Sequence, residues 1–157
     1  MLLDKYNKQN IFFSSNLKRY NMNLKVIDKI KLPENEKTEL KVFIQRVINE
    51  VDGKIKLIKL FGSCARNELT DDSDIDIMVV AKERSLQLFD QIENIAIDSF
   101  LRYGGRIISI KLLGEKHYEF LKKLETPFIK NVEKGGITLW SKKEIWGRFP
   151  DGCFSFC

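Results

Sequence analysis

The sequence predicts a mixed α/β fold of the α+β kind: a small, mostly antiparallel or mixed sheet, with helices on one face and a site at the sheet's other, more open side. Three observations carry this. Residues 55–61, 74–80 and 106–113 have strand character, being apolar on both faces or alternating with period 2. Residues 33–51 and 85–103 carry apolar stripes at helical spacing. Glycines close these helices at Gly53 and Gly104–Gly105.

In chain order, residues 1–32 mix Asn and Lys with scattered apolar residues such as Ile11, Phe12 and Phe13, and no element is assigned there. Pro33 and the acids Glu34, Glu36 and Glu39 suit the first turn of a helix, through proline placement and the macrodipole. Its core stripe is Leu40, Phe43, Ile44, Val47, Ile48 and Val51. A strand over 55–61 ends in a Gly62–Ser63 turn, where Ser63 can N-cap a short helix over 64–69. The second strand begins at Asp74. The helix over 85–103 turns Leu88, Phe89, Ile92, Ile95, Ala96 and Phe100 inward as core. A third strand over 106–113 puts Arg106, Ile108, Ile110 and Leu112 on one face and Ile107, Ser109, Lys111 and Leu113 on the other. A helix over 115–124 follows, with Tyr118, Leu121 and Leu124 on one side. Thr126–Pro127 opens another helix carrying Phe128, Ile129 and Val132, and 137–140 is a final edge strand.

The chain's 157 residues suit one domain with extensions: a basic arm at 1–32, the domain at 33–141 and an aromatic tail at 142–157. The arm holds seven basic and two acidic side chains, so it accounts for the whole net charge of +5. It can touch nucleic acid or an acidic partner, or simply be a solvated extension. In the tail, Trp146, Phe149, Phe154 and Phe156 can pack back on the domain or meet a partner. No apolar run reaches a membrane span and no signal peptide opens the chain, so a cytoplasmic location is expected. Cys64, Cys153 and Cys157 form no disulfide framework and no paired zinc-ligand spacing.

The chemistry concentrates at the start of the second strand. Asp74 and Asp76 share its face with Met78 and Val80, while Ile75, Ile77 and Val79 form the other. Both faces become apolar after Asp76, as in a strand buried on both sides with two carboxylates at its mouth. Two like charges about 7 Å apart along one strand face repel unless a cation answers them. Mg²⁺ suits that demand, because it accepts one or two carboxylates and takes its remaining ligands from water and substrate phosphates. At the end of the first strand, Gly62 lets backbone approach a ligand, and a helix N-terminus there suits phosphate. If both features serve one site, the first two strands run antiparallel.

Gly62–Ser63, ten intervening residues, then Asp74-x-Asp76, with Arg66 between and Ser73 before the first acid, resembles the signature of the polymerase-beta-type nucleotidyltransferases. The length is similar to that of their minimal, single-domain members, over roughly residues 36–141, with the sharp motif within 61–77. The resemblance implies a polymerase beta-like nucleotidyltransferase fold. It implies that Gly62 and Ser63 hold a nucleoside triphosphate, and that Asp74 and Asp76 are catalytic and bind Mg²⁺. Arg66 then either reaches a phosphate or braces the turn, and bracing is the preferred role. Asp71 and Asp72 read as turn and solvation.

Two positions depart from the pattern. The third acid usual on the later strand is replaced by Ser109, with Lys111 next on that face, an ammonium that would compete with a metal for the aspartates. Asn67 stands where many relatives have glycine. The residues thus support nucleotide binding more directly than turnover.

The leading reading is transfer of AMP from Mg-ATP to a hydroxyl of a partner macromolecule, since the domain has no length to spare for an acceptor module. Resemblance to the antitoxin half of toxin–antitoxin pairs implies a small helical ribonuclease toxin, modified on tyrosine, as that partner. The alternative is a catalytically weak or inactive binding module that neutralises or scaffolds a partner protein. Transfer to a small molecule such as an aminoglycoside, and templated polymerisation, are disfavoured because each needs a second domain. An RNA acceptor bound by the basic arm is a further option.

Overall fold

A computed structural model describes residues 24–142 apart from residue 52. Most of the basic arm and nearly all of the aromatic tail therefore lie outside the described residues. The elements in order are α1 (Leu24–Asp28), α2 (Glu34–Glu50), β1 (Ile55–Phe61), α3 (Gly62–Ala65), β2 (Ile75–Ala81), α4 (Leu86–Tyr103), β3 (Ile108–Gly114), α5 (Glu115–Lys123), α6 (Pro127–Gly135) and β4 (Ile137–Ser141). The mixed α/β class expected from the sequence is what the chain adopts.

The four strands form one mixed sheet in the order β3-β2-β1-β4. β1 pairs antiparallel with β2 and β4, whereas β2 and β3 are parallel and joined through α4. A parallel pair needs a crossover, and α4 supplies it. Ser85 caps that helix by accepting the Leu88 N–H at 3.1 Å, and Gly104 ends it in the left-handed conformation at φ 60°.

One face of the sheet builds the larger core. Ile58, Leu60, Ile75, Ile77, Val79, Ile108 and Leu112 meet the inward stripes of α2 and α4, including Phe43, Val47, Ile92 and Ile95. The core reaches back into the basic arm, where Ile27, Ile30 and Leu32 are buried against it and Lys41 holds Asp28 at 2.6 Å.

The other face is not open along its length, contrary to expectation. Met78, Val80 and Leu113 are apolar there and must be covered, and α5 and α6 cover them with Tyr118, Ile129 and Val132. Leu124, expected on the inner side of α5, is exposed beyond the helix end. At the end of the sheet where β1 finishes and β2 begins, Asp74 and Ser109 are exposed. Several boundaries also move: α3 is one turn over Gly62–Ala65 instead of 64–69, β2 starts at Ile75, and β3 starts at Ile108 instead of at Arg106.

Candidate active site

The antiparallel register of β1 and β2 sets Phe61 opposite Asp76, so the glycine turn and the carboxylates meet as expected. Gly62 has φ 71°, a conformation that only glycine adopts at no steric cost, and a Cβ there would collide with Asp76 Oδ2. Glycine is thus required twice over, once by its dihedral and once by the acid packed on it.

Ser63 does not cap α3. Phe61 is the N-cap and no side chain caps the turn, because the helix begins one residue earlier than 63. A single turn still leaves its first N–H groups without intrahelical partners. The backbone then closes tightly, with the Glu68 N–H donating to the Ser63 carbonyl at 2.9 Å. Asn67 sits at φ 55°, which asparagine tolerates, and its Oδ1 accepts the Lys31 N–H at 3.2 Å. Its replacement of glycine therefore keeps the left-handed turn and adds a tie to the end of the basic arm.

Asp74 is exposed one residue ahead of β2, and Asp76 is half-buried inside it. Burial, reinforced by the Asp74 charge and only partly offset by Arg66, raises the Asp76 carboxyl above the usual range. Arg66 is exposed and pairs through Nε with Glu68 at 2.8 Å, an ion pair within the segment that follows the glycine turn.

Ser109 is the parallel-strand partner of Asp76, the place beside the acid pair where the third acid was expected. Lys111 is the partner of Met78, and its ammonium lies 5.7 Å from the centroid of the Phe128 ring. Phe128 in turn meets Phe61 edge to face at 5.5 Å. That contact turns the Lys111 ammonium toward an aromatic ring. Among the described residues no three His, Cys, Asp or Glu side chains converge as a self-sufficient metal site. Asp74 and Asp76 fit a Mg²⁺ ion that completes its shell from a substrate.

Glu36 and Glu39, expected only as acids of a helix's first turn, have tertiary surroundings that no local pattern announces: Glu36 pairs with Arg106 at 2.8 Å and Glu39 is completely buried. Neither Glu39 oxygen has a hydrogen-bond partner, and the nearby Arg106 backbone N–H offsets its burial only slightly. Burial and the Glu36 charge push the Glu39 carboxyl up to about 7. The available signal was Gly105, where a Cβ would collide with Glu39 Oε2. Burial likewise pushes the Cys64 thiol up to about 11, which leaves it an inert core residue.

A turn-borne glycine packed on Asp76, with Asp74 two residues before it at one end of a small mixed sheet, is the arrangement of a nucleotidyltransferase-type domain. The chain matches the family described as Polymerase beta, Nucleotidyltransferase over residues 42–145, and it belongs to that family. Among its relatives is "Putative protein adenylyltransferase MJ0604" of Methanocaldococcus jannaschii, 34% identical over 106 residues, which span 68% of this chain and 99% of the relative.

Among solved structures, the fold is similar to that of spectinomycin adenyltransferase AAD(9) from Enterococcus faecialis, solved with ATP and spectinomycin. The TM-score is 0.50 at 14% identity, over 73% of this chain and 59% of that one. A toxin–antitoxin structure with AMP-PNP aligns with a TM-score of 0.43 at 22% identity, over 64% of this chain and 73% of that one. No helix among the described residues is long and apolar enough to cross a membrane.

Proposed function

We propose that this chain is a minimal nucleotidyltransferase that moves AMP from Mg-ATP to a hydroxyl of a partner protein. The observation that carries the reading is the packing of Asp76 against a side-chain-free Gly62, with Asp74 beside it. Gly62 and Ser63 supply backbone for the triphosphate, and the exposed Arg66 is available to its charge. Asp74 and Asp76 would hold Mg²⁺, which supplies neutralisation of the phosphates and of the charge developing at the α-phosphoryl group. In the transfer, the acceptor oxygen bonds to the α-phosphorus, the bond to pyrophosphate breaks and the hydroxyl proton passes to solvent water. The choice of adenylate and of a protein acceptor draws support from the name of the 34% identical relative. The narrower proposal of a helical toxin as acceptor, modified on tyrosine, rests on the sequence resemblance alone.

A second reading has its own observation. Ser109, in register with Asp76, supplies no carboxylate to take the acceptor proton, which favours a binding module that neutralises or scaffolds its partner without turnover. Calorimetry of ATP with and without Mg²⁺, on the wild type and on Asp74→Asn/Asp76→Asn, tests the shared premise. Metal-dependent binding lost in the double variant is expected; absence of binding in both proteins would sink the nucleotide reading. Incubation of a bound, co-purifying protein with ATP then separates the two readings. Transfer adds one or more AMP units to its mass, and a pure binding module adds none.

A further inference from the structure

Residues 70–73 lead directly into Asp74, and their backbone hangs on one guanidinium. Arg106 Nη1 donates to the Thr70 carbonyl at 2.6 Å and to the Ser73 carbonyl at 3.0 Å, with the Asp71 carbonyl at 3.4 Å. Its Nε donates to Glu36 Oε2 at 2.8 Å, anchoring the same group to α2. Both partners are largely shielded, at 16% and 11% side-chain exposure, so the pair is far less screened than a surface ion pair. The loop closes on itself as well: Ser73 Oγ accepts the Thr70 N–H at 2.9 Å, and the Ser73 N–H donates to the Thr70 carbonyl at 3.1 Å. Ile75, between the two acids, donates its N–H to the Ile107 carbonyl at 2.9 Å. Beside it, Glu39 and Glu36 both pack directly on Gly105, where a Cβ would collide with them.

We propose that Arg106 is a positioning residue for the Asp74 and Asp76 pair: by gripping Glu36 and the carbonyls of residues 70–73 together, it fixes the backbone from which Asp74 projects. The proposal rests on the reading of that pair as the Mg-nucleotide site. The planar fork of arginine serves several acceptors in fixed directions, and a lysine ammonium at this place could not span them. The Asp76 carboxylate is set by strand pairing, whereas Asp74 lies outside the strand and depends on this loop. Arg106 touches neither acid; it acts through the loop.

The test uses the full chain in three forms: wild type, Arg106→Lys, and Glu36→Gln/Arg106→Gln, which removes the pair without orphaning a charge. The readouts are the Mg²⁺ concentration giving half-maximal ATP binding, and amide hydrogen exchange across residues 70–76. In both variants the Mg²⁺ midpoint is expected to rise at least tenfold, and the Ser73 and Ile75 amides to exchange faster while those of α4 keep their rates. A merely structural role would lower the amount of active protein, leaving that midpoint in place. An unchanged midpoint in either folded variant, with ATP binding intact in the wild type, would overturn the positioning role alone. No Mg²⁺-dependent ATP binding in the wild type would remove the nucleotide reading, and this inference with it.

Discussion

Glu39 gives this fold a built-in dependence on pH. Its carboxyl is completely buried, with the Glu36 charge acting against its ionisation and only the Arg106 backbone N–H acting for it. Its pKa rises from 4.5 in the unfolded chain to about 7 in the fold. Below the unfolded value both states are protonated, and the group costs nothing. As pH rises from 4.5 to 7 the unfolded chain ionises first, so stability is lost across that window and stays lost above it. At about 1.4 kcal/mol for each tenfold change, the ceiling on the loss is about 3 kcal/mol, reduced to the extent that the interior relaxes. Replacing Glu39 by Gln keeps the shape and removes the titration. Urea unfolding of the wild type and Glu39→Gln between pH 4.5 and 8.5 is the assay. The gap between the two is expected to widen in favour of Glu39→Gln by about 2–3 kcal/mol towards high pH. Parallel curves would show that Glu39 is solvated in the folded state and would refute the reasoning.

Gly62→Ala is expected to cost about 1–2 kcal/mol for the left-handed backbone alone. Because the new methyl displaces Asp76, Mg-ATP binding should fall further than thermal stability does, as calorimetry on the folded variant would show. At the left-handed Asn67, Asn67→Gly should leave the melting temperature within a few degrees, whereas the β-branched Asn67→Val should lose about 1–2 kcal/mol; equal stability of the two would contradict the role given to the turn. Ser109→Asp places a third carboxylate beside Asp76, so it should tighten Mg²⁺ binding severalfold and raise any transfer activity. Weaker metal binding in that variant would mean that Ser109 does not face the pair. Phe43→Ala, at the centre of the larger core, should cost about 3–5 kcal/mol in urea unfolding.

The sequence by itself determined the elements and the motif, because both are written in local patterns. The stripe of α2 from Leu40 to Val51, the capped and glycine-stopped α4, and the doubly apolar β2 follow from side-chain periodicity, which survives any change of neighbours. The antiparallel sense of β1 and β2 was also legible, since a glycine turn and an acid pair can share one site only if those strand ends meet. Tertiary structure alone decided what faces the charged residues. Glu36 and Glu39 read as helix-start acids, and only the approach of Gly105 and Arg106, about seventy residues away in sequence, gives them their buried surroundings. Arg106 read as a strand residue, yet the loop before Asp74 takes its guanidinium and the strand starts two residues later. Lys111 shares a strand face with Ser109, but only the packing of α6 brings Phe128 under its ammonium. Periodicity assigns a side chain to a face; the partner that it finds there depends on long-range packing, and this sets the charge of the site.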